Sequence, residues 1–139
     1  MEYKGSCLCK AVRFKVVGSF DDFYLCHCKY CRKDSGSAHA ANLFASHASL
    51  TWLQGQSEVS TFHLKDTNHS RSFCRICGSA LPNLQMDGEL IVVPAGCLDT
   101  HLDKEPDGHI FISNKANWDV NLYKIKHFDK FPVATPSKE

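Results

Sequence analysis

The sequence predicts a small, mainly β protein that has one or two short helices and is held together by bound metal. Two patterns indicate the β class: short apolar runs recur between turn residues, and no long amphipathic helix or internal repeat is visible. A third observation indicates the metal, because most of the cysteines fall into groups at the spacing of metal ligands.

The length of 139 residues suits one domain, since single domains commonly have ~100–200 residues. We expect residues 1–131 to form this domain and the Pro-, Ser- and charge-rich segment 132–139 to be frayed. The hydrophobic share of 43% and the charged share of 22% are those of a soluble globular protein. Sixteen basic and fifteen acidic residues nearly cancel, so the charge balance indicates no nucleic-acid or membrane partner.

The expected compartment follows from the absence of recognisable export signals. Residues 1–5 lack the apolar region of a signal peptide, and no apolar run approaches the ~18 residues of a membrane span. We therefore expect a cytoplasmic protein in a reducing environment, where clustered thiols bind metal more often than they form disulfides.

The first elements are read from alternation and from turn residues. Residues 11–17 alternate apolar and basic side chains, which predicts a half-buried strand ended by Gly18. Residues 23–25 are apolar and predict a second, short strand. Residues 29–35 predict one or two helical turns closed by Gly36, a residue common just after helix ends.

Further strands are expected where short apolar runs lie between turn residues: 40–45, 50–53, 59–64, 81–84, 89–93, 110–112 and 121–125. Residues 71–73 follow a polar segment and run into Cys74. Residues 66–70 are polar and predict the loop of one hairpin. Asp87 and Gly88 predict the turn of a second hairpin, because this dipeptide favours tight turns.

The grouped cysteines have the spacings C-x-C, C-x-C-x2-C and C-x2-C: Cys7 and Cys9; Cys26, Cys28 and Cys31; Cys74 and Cys77. Eight buried thiols without metal would more commonly be scattered as single residues, so metal binding is the preferred interpretation. Cys97 stands alone and is expected to be a small core residue.

Seven grouped thiols suggest two sites of different kinds. A structural zinc takes four protein ligands, and Cys7, Cys9, Cys74 and Cys77 supply such a set. The remaining three thiols leave one coordination position open, which is the pattern of a catalytic metal. Three thiolates over-neutralise Zn²⁺, so this site suits an exogenous thiolate better than it suits hydrolysis. We therefore expect a substrate that is itself a thiol.

Other ligand assignments are compatible with the same residues. The closed site could instead use Cys26 and Cys28 with the downstream pair. A histidine could complete the three-thiol site and make it structural, the candidates being His27, His39 and His69. His27 lies between two of the ligands and in an extended chain would point away from the metal.

The cysteines lie in three longer motifs: Gly5-Ser6-Cys7-Leu8-Cys9, Cys26-His27-Cys28-x2-Cys31-Arg32 and Arg71-Ser72-Phe73-Cys74-x2-Cys77-Gly78. In this order they resemble the glutathione-dependent formaldehyde-activating enzyme family, which also includes the centromere protein V domain. A less specific similarity continues from Ala95 to Trp118.

The resemblance implies a β-tent fold of small antiparallel sheets with two zinc ions. Carried over by motif, the structural zinc would be held by Cys7, Cys9, Cys74 and Cys77, and the catalytic zinc by Cys26, Cys28 and Cys31. The family's named activity joins formaldehyde to glutathione, giving S-hydroxymethylglutathione, and is formally a carbon–sulfur lyase run in reverse. The chain departs from the pattern at Cys97, where a small hydroxyl residue is expected, and is shorter than the formaldehyde-activating members.

The leading hypothesis is a zinc-dependent carbon–sulfur lyase that forms or cleaves the adduct of a small thiol and an aldehyde. In it the catalytic zinc would hold the substrate thiolate beside the carbonyl carbon, with glutathione and formaldehyde as the implied substrate types. An alternative is a zinc-scaffolded module that binds protein or nucleic acid without turnover. The net charge of +1 and the lack of a basic stripe argue against nucleic acid.

Overall fold

The computed structural model describes residues 1–132; the predicted frayed tail lies, apart from Pro132, outside the described residues. Within this part the chain forms eleven strands in three sheets, one α-helix and five short 3-10 turns. The predicted mainly β class with small sheets and one short helix is confirmed. The predicted extent of the domain, residues 1–131, stays a prediction. No helix in residues 1–132 is long and apolar enough to cross a membrane.

The helix is α1 (Lys29–Ser35), and the strands are β1 (Glu2–Ser6), β2 (Arg13–Val17), β3 (Asp22–Cys26), β4 (Ala40–Ala45), β5 (Ser49–Gln54), β6 (Val59–His63), β7 (Ser70–Cys74), β8 (Ala80–Leu81), β9 (Asn83–Gln85), β10 (Leu90–Pro94) and β11 (Gly108–Ile110).

The first sheet has the order β1-β2-β5 and is antiparallel. In β2 the side chains of Phe14 and Val16 are buried, as the alternation predicts. Sequence reasoning did not predict β1, because Gly5 and Ser6 interrupt its apolar pattern. Gly5 lies opposite Phe14, and a Cβ atom there would stand 2.2 Å from Phe14 Cζ and 2.5 Å from the Cys97 carbonyl oxygen. A glycine is therefore required for β1 to approach β2.

The second sheet has the order β11-β3-β4-β10-β9. Strand β10 lies inside it and buries Ile91, Val92 and Val93 in succession, as a strand covered on both faces does. Strand β11 runs parallel to β3 and places Ile110 opposite Cys26, so the sheets are not wholly antiparallel. The second predicted hairpin is present, with β9 and β10 joined by the turn Met86–Gly88.

Two predictions near the C-terminus were wrong in detail. The strand expected at 110–112 ends at Ile110, because Phe111 takes a left-handed conformation with φ of 54° and a 3-10 turn follows. The strand expected at 121–125 is a 3-10 turn, Leu122–Lys124, that begins after Asn121 with φ of 52°. Left-handed residues interrupt the extended backbone that a strand needs.

The third sheet is antiparallel and has the order β6-β7-β8, with β6 and β7 forming the first predicted hairpin. Strand β7 matters for the sites, because it ends at Cys74 and starts directly after His69. Helix α1 ends as predicted: Gly36 has φ of 64° and donates its N–H to the Arg32 carbonyl oxygen at 2.9 Å.

One core joins the three sheets. Phe14 of the first sheet, Leu43 and Val93 of the second and Leu81 of the third are each at most 1% exposed. Cys7 and Cys74 belong to the same buried cluster. The region around the upstream and downstream cysteine pairs is therefore continuous with the core.

Candidate functional site

Four of the grouped cysteines meet where the first and third sheets come together. The sulfur atoms of Cys7, Cys9, Cys74 and Cys77 all lie within 4.8 Å of one another. The Cys7–Cys9 sulfurs are 3.6 Å apart and the Cys9–Cys74 sulfurs 3.9 Å apart. A zinc tetrahedron with Zn–S bonds of ~2.3 Å has edges of ~3.8 Å, whereas a disulfide bond is only ~2.05 Å long. The donor set and its spacing thus fit a tetrahedral zinc ion.

Tight turns bring these four thiols together. Cys7 follows β1, and its carbonyl oxygen accepts the N–H of Lys10 at 3.1 Å across a turn in which Lys10 is left-handed. Cys74 ends β7, and its carbonyl oxygen accepts the N–H of Gly78 at 2.7 Å, with Gly78 at φ of 78°. Each turn places two cysteines on the same side of the chain, which is what the spacings C-x-C and C-x2-C indicate.

Hydrogen bonds and burial distribute the protons of this group unevenly. The hydroxyl and the backbone N–H of Ser79 lower the pKa of Cys77 to about 5. Burial opposes ionisation of Cys7, but the Val12 N–H, which lies 3.2 Å from its sulfur, and the thiols of Cys9 and Cys74 lower its pKa overall. The Ala11 N–H favours the Cys9 thiolate, yet burial and the adjacent sulfurs together raise the Cys9 pKa to about 11. A divalent cation would displace the remaining protons from the group.

The other three grouped cysteines form a separate group on α1 and β3. The sulfur atoms of Cys26, Cys28 and Cys31 lie within 4.8 Å of one another. Cys26 ends β3, Cys28 is the N-cap of α1 and Cys31 lies in its first turn. No histidine, aspartate or glutamate of residues 1–132 joins the three within that distance. The group therefore offers a metal three thiols and leaves its fourth position open.

The three thiols differ in how readily they ionise. Burial opposes ionisation of Cys28, but the Cys31 N–H, 3.3 Å from its sulfur, and the two neighbouring thiols lower its pKa overall. Burial raises the pKa of Cys26 and of Cys31, with Cys31 raised the most. Cys28 at the N-cap is therefore the thiol of the three that ionises most readily, and the charge of a bound cation would favour loss of the other protons.

The candidate histidine ligands point elsewhere. His27 is 1% exposed and turns away from the thiols, with Nε2 2.8 Å from His109 Nδ1 and Nδ1 3.3 Å from Asp119 Oδ2. The His39 ring packs on that of His27, with 5.1 Å between centroids. His69 binds Asp34. This arrangement supports neither of the alternative ligand assignments.

A cleft of about 500 Å³ lies beside the three-cysteine group, and all three of its cysteines line the wall. Helix α1 supplies Tyr30 and Asp34, and the segment that leads into β7 supplies polar side chains that include His69. Phe44 and Val92 form part of the apolar floor. Sequence reasoning did not identify Asp34 at all and considered His69 only as a ligand, because no spacing relates these two residues.

Cys97 lies outside both groups. It is half-buried and packs against the core, as the sequence predicts for a small isolated thiol. Burial raises its pKa to about 12, so this cysteine stays protonated near neutral pH.

Comparison with known proteins relates this arrangement to a family. The family model described as "Glutathione-dependent formaldehyde-activating enzyme" matches residues 2–114, which include both cysteine groups and the cleft residues on α1 and β7. The chain belongs to this family. The resemblance inferred from the three cysteine motifs is thereby confirmed.

Individual relatives of this glutathione-dependent formaldehyde-activating enzyme family agree. A Halomonas elongata protein named "Putative glutathione-dependent formaldehyde-activating enzyme" is 31% identical over 125 residues, covering 85% of this chain and 80% of its own. An uncharacterized lyase of Schizosaccharomyces pombe is 30% identical over 80 residues, covering 58% of this chain and 56% of its own. A crystal structure of a Rhodobacter sphaeroides protein superposes with a TM-score of 0.55 at 24% identity, over 76% of this chain and 98% of that one, which shows the shared fold.

Proposed function

We propose that this protein is a zinc-dependent carbon–sulfur lyase that forms or cleaves the adduct of a small thiol and an aldehyde. The observation that carries the proposal is a three-cysteine group with no further protein ligand, on the wall of a cleft that can hold a small substrate. Family membership supports a substrate pair of the glutathione and formaldehyde type. The name of the Schizosaccharomyces pombe relative supports the lyase class, and that of the Halomonas elongata relative supports a formaldehyde-activating reaction.

The two cysteine groups divide the work in this proposal. Cys7, Cys9, Cys74 and Cys77 would hold a structural zinc, and Cys26, Cys28 and Cys31 would hold a catalytic one. A zinc ion with three thiolate ligands supplies a soft, open coordination position that suits a substrate thiolate.

The chain's own residues orient the reaction. The wall formed by α1 and β4 confines a small thiol beside the three-cysteine group, so its sulfur meets a carbonyl carbon in a fixed direction. In the forward direction a carbon–sulfur bond forms, the carbon–oxygen π bond breaks, and the oxygen gains a proton while the thiol loses one. The reverse reaction releases the aldehyde and the thiol. Burial of Cys26 and Cys31, which are 7% and 8% exposed, keeps bulk water from the inner side of the group.

Native mass spectrometry before and after brief treatment with a weak chelator tests the proposal first. Two zinc ions per chain are expected, one of which is released while the fold is retained. Adduct formation should then be measured with a panel of thiols and aldehydes on protein with both ions. Absence of zinc from freshly isolated, reduced protein would contradict the proposal, as would two zinc ions with no turnover of any thiol and aldehyde pair.

One observation favours a second function, that of a zinc-scaffolded protein-binding module. Between Phe111 and Phe131 large apolar side chains are exposed, with Trp118 at 56% and Tyr123 at 73%. Exposed apolar side chains that are concentrated in one segment are more typical of an interaction surface than of a free monomer. A single tightly held zinc ion without turnover would favour this second function. That no nucleic acid binds, and that the protein is cytoplasmic, stay predictions.

A further inference from the structure

The cleft beside the three-cysteine group contains a hydrogen-bonded carboxylate and imidazole. Asp34 Oδ2 lies 2.5 Å from His69 Nε2, and the two side chains are 26% and 20% exposed. Because an ionised carboxylate can only accept, Nε2 donates to it and Nδ1 remains to exchange a proton. Within residues 1–132 no protein group forms a hydrogen bond to this Nδ1. The imidazole therefore has one nitrogen held and one nitrogen open to a ligand.

The pair is close to the three-cysteine group because α1 places it there. Asp34 follows Cys31 by three residues, so the two side chains lie on one helix face with Cβ atoms ~5–6 Å apart. Both line the cleft. The ring of His69 also packs on that of Tyr30, which lies between Cys28 and Cys31, with 5.5 Å between centroids. A small adduct whose sulfur is at the three-cysteine group would thus extend toward His69.

The backbone holds His69 rigidly. Its carbonyl oxygen accepts the Leu64 N–H at 2.9 Å, and its own N–H donates to Thr67 Oγ1 at 3.1 Å. Strand β7 starts at the next residue and pairs with β6 and β8 on its two sides. Positioning of this kind is what a proton-transferring group needs, because the donor must be within hydrogen-bond distance of the reacting oxygen.

We propose that His69 is the proton-transferring residue of the cleft and that Asp34 is its positioning residue. The inference rests on the proposed lyase function. When the thiolate sulfur bonds to the carbonyl carbon, the π electron pair moves to oxygen and the protonated imidazole gives that oxygen its proton. In cleavage the neutral imidazole takes the hydroxyl proton, the carbonyl forms again and the carbon–sulfur bond breaks. Solvent returns or removes the proton at His69 after each turnover.

A purely structural role for the pair is the rival explanation, because the same contact ties the β6–β7 hairpin to α1. The two roles differ in their pH dependence. The titratable and charged groups that line the cleft besides the cysteines are Asp34 and Tyr30 from α1, His39 before β4, and Arg71 and His69 at β7. Only proton transfer by His69 makes the turnover number depend on His69 protonation.

The test compares His69→Gln with the wild type and with the control His101→Gln. His101 also contacts an aspartate, Asp103, at 3.2 Å, but this pair is 87% and 79% exposed and is not part of the cleft wall. General acid–base residues contribute ~10²–10⁴-fold to a rate, so kcat for adduct formation should fall at least ~10²-fold in His69→Gln. The KM for the thiol should change little, and the alkaline limb of the kcat profile should disappear. His101→Gln should match the wild type.

A second readout does not depend on turnover. The probe is the S-(2-hydroxyethyl) thioether of whichever thiol of the panel is turned over. It carries a hydroxyl near the sulfur, as the adduct does, but it cannot release an aldehyde. In ¹⁵N-histidine-labelled, zinc-loaded protein, its binding should shift the imidazole resonances of His69 and leave those of His101 in place. If His69→Gln binds less zinc or no longer gives the circular dichroism spectrum of the folded protein, Asp34→Asn is used as the test variant instead. This variant keeps the shape of the side chain and should lower kcat, because an amide, which can donate as well as accept, no longer fixes which nitrogen of the His69 ring carries the proton.

Three results would overturn the proposed role of His69. If the wild type is active and His69→Gln has the same activity and the same pH profile, the lyase function stands and the role of His69 is overturned. A loss in Tyr30→Phe with none in His69→Gln would assign the proton to the neighbouring hydroxyl and overturn it as well. A wild type that turns over no thiol and aldehyde pair would overturn the lyase function and this inference together.

Discussion

Replacing Cys74 should cost far more stability than replacing Cys31, because the two groups close loops of very different length. Cys9 and Cys74, whose sulfurs are 3.9 Å apart, are separated by 65 residues. A cross-link that closes a loop of this length removes conformational entropy from the unfolded chain worth about 4 kcal/mol. The three-cysteine group spans only Cys26 to Cys31, and closing so short a loop is worth about 2 kcal/mol by the same relation.

The difference should be visible in urea unfolding followed by circular dichroism, with zinc in the buffer. Domains of this kind are stable by ~5–15 kcal/mol, so Cys74→Ser should be marginally folded or unfolded at 37 °C. Cys31→Ser should remain folded, lose one zinc ion and lose lyase activity. Cys97→Ser is the matched control, since this cysteine lies in neither group, and it should retain both zinc ions.

Equal losses of unfolding free energy in Cys74→Ser and Cys31→Ser would refute the division into a structural and a catalytic group. Full stability of Cys74→Ser at one zinc ion per chain would refute the loop-closure argument itself.

Three further predictions concern Gly5, the order of zinc release and Asp107. Gly5→Ala should destabilise the fold by ~1–3 kcal/mol in urea unfolding, because its Cβ would stand 2.2 Å from Phe14 Cζ. Gly108→Ala is the comparison, because Gly108 also lies in a strand and no atom lies within 4 Å of the added Cβ, and it should cost less. A weak chelator should remove zinc from the three-cysteine group before it removes zinc from the four-cysteine group. In native mass spectrometry, the ion that the wild type releases first should therefore be absent from Cys31→Ser before any chelator is added. The Phe23 N–H and Lys104 lower the pKa of Asp107, so Asp107 stabilises the fold above the ordinary aspartate pKa and this stabilisation is lost as pH falls. The difference in unfolding free energy between wild type and Asp107→Asn should therefore shrink toward pH 3; a difference that grows on acidification would contradict the assignment.

Most strands could be predicted because their signals are local. The alternation in β2, the helix at 29–35 and its closure by Gly36 depend on neighbouring residues alone. Strand β1 was not predicted, because its glycine is required by a close contact with Phe14 that exists only when the two strands are paired. The 3-10 turn at Leu122–Lys124 was missed because left-handed Asn121 leaves no mark in the apolar pattern.

The sequence predicts the cysteine groups better than it predicts the residues of the cleft, because only the cysteine groups depend on local spacing. Spacing predicts which thiols can share a metal, because two cysteines one or two residues apart must lie close together. No spacing could predict that residues 34 and 69 meet, since they are 35 residues apart and come from a helix and a hairpin. The family motifs likewise carry the metal ligands and contain neither Asp34 nor His69. The site's thiols were therefore predictable and its proposed proton donor was not.

Strand β7 links the two cysteine groups mechanically. It runs from the residue after His69 to Cys74, so one of its ends borders the cleft and the other is held in the four-cysteine group. The bond from His69 to Asp34 then continues this link to α1, one turn from Cys31. A short, rigid strand transmits displacement at one end to the other, because its backbone is paired on both sides. If His69 has the proposed role, removal of the metal from the four-cysteine group should lower kcat even under conditions where the protein stays folded, because His69 would no longer be held in place beside the cleft.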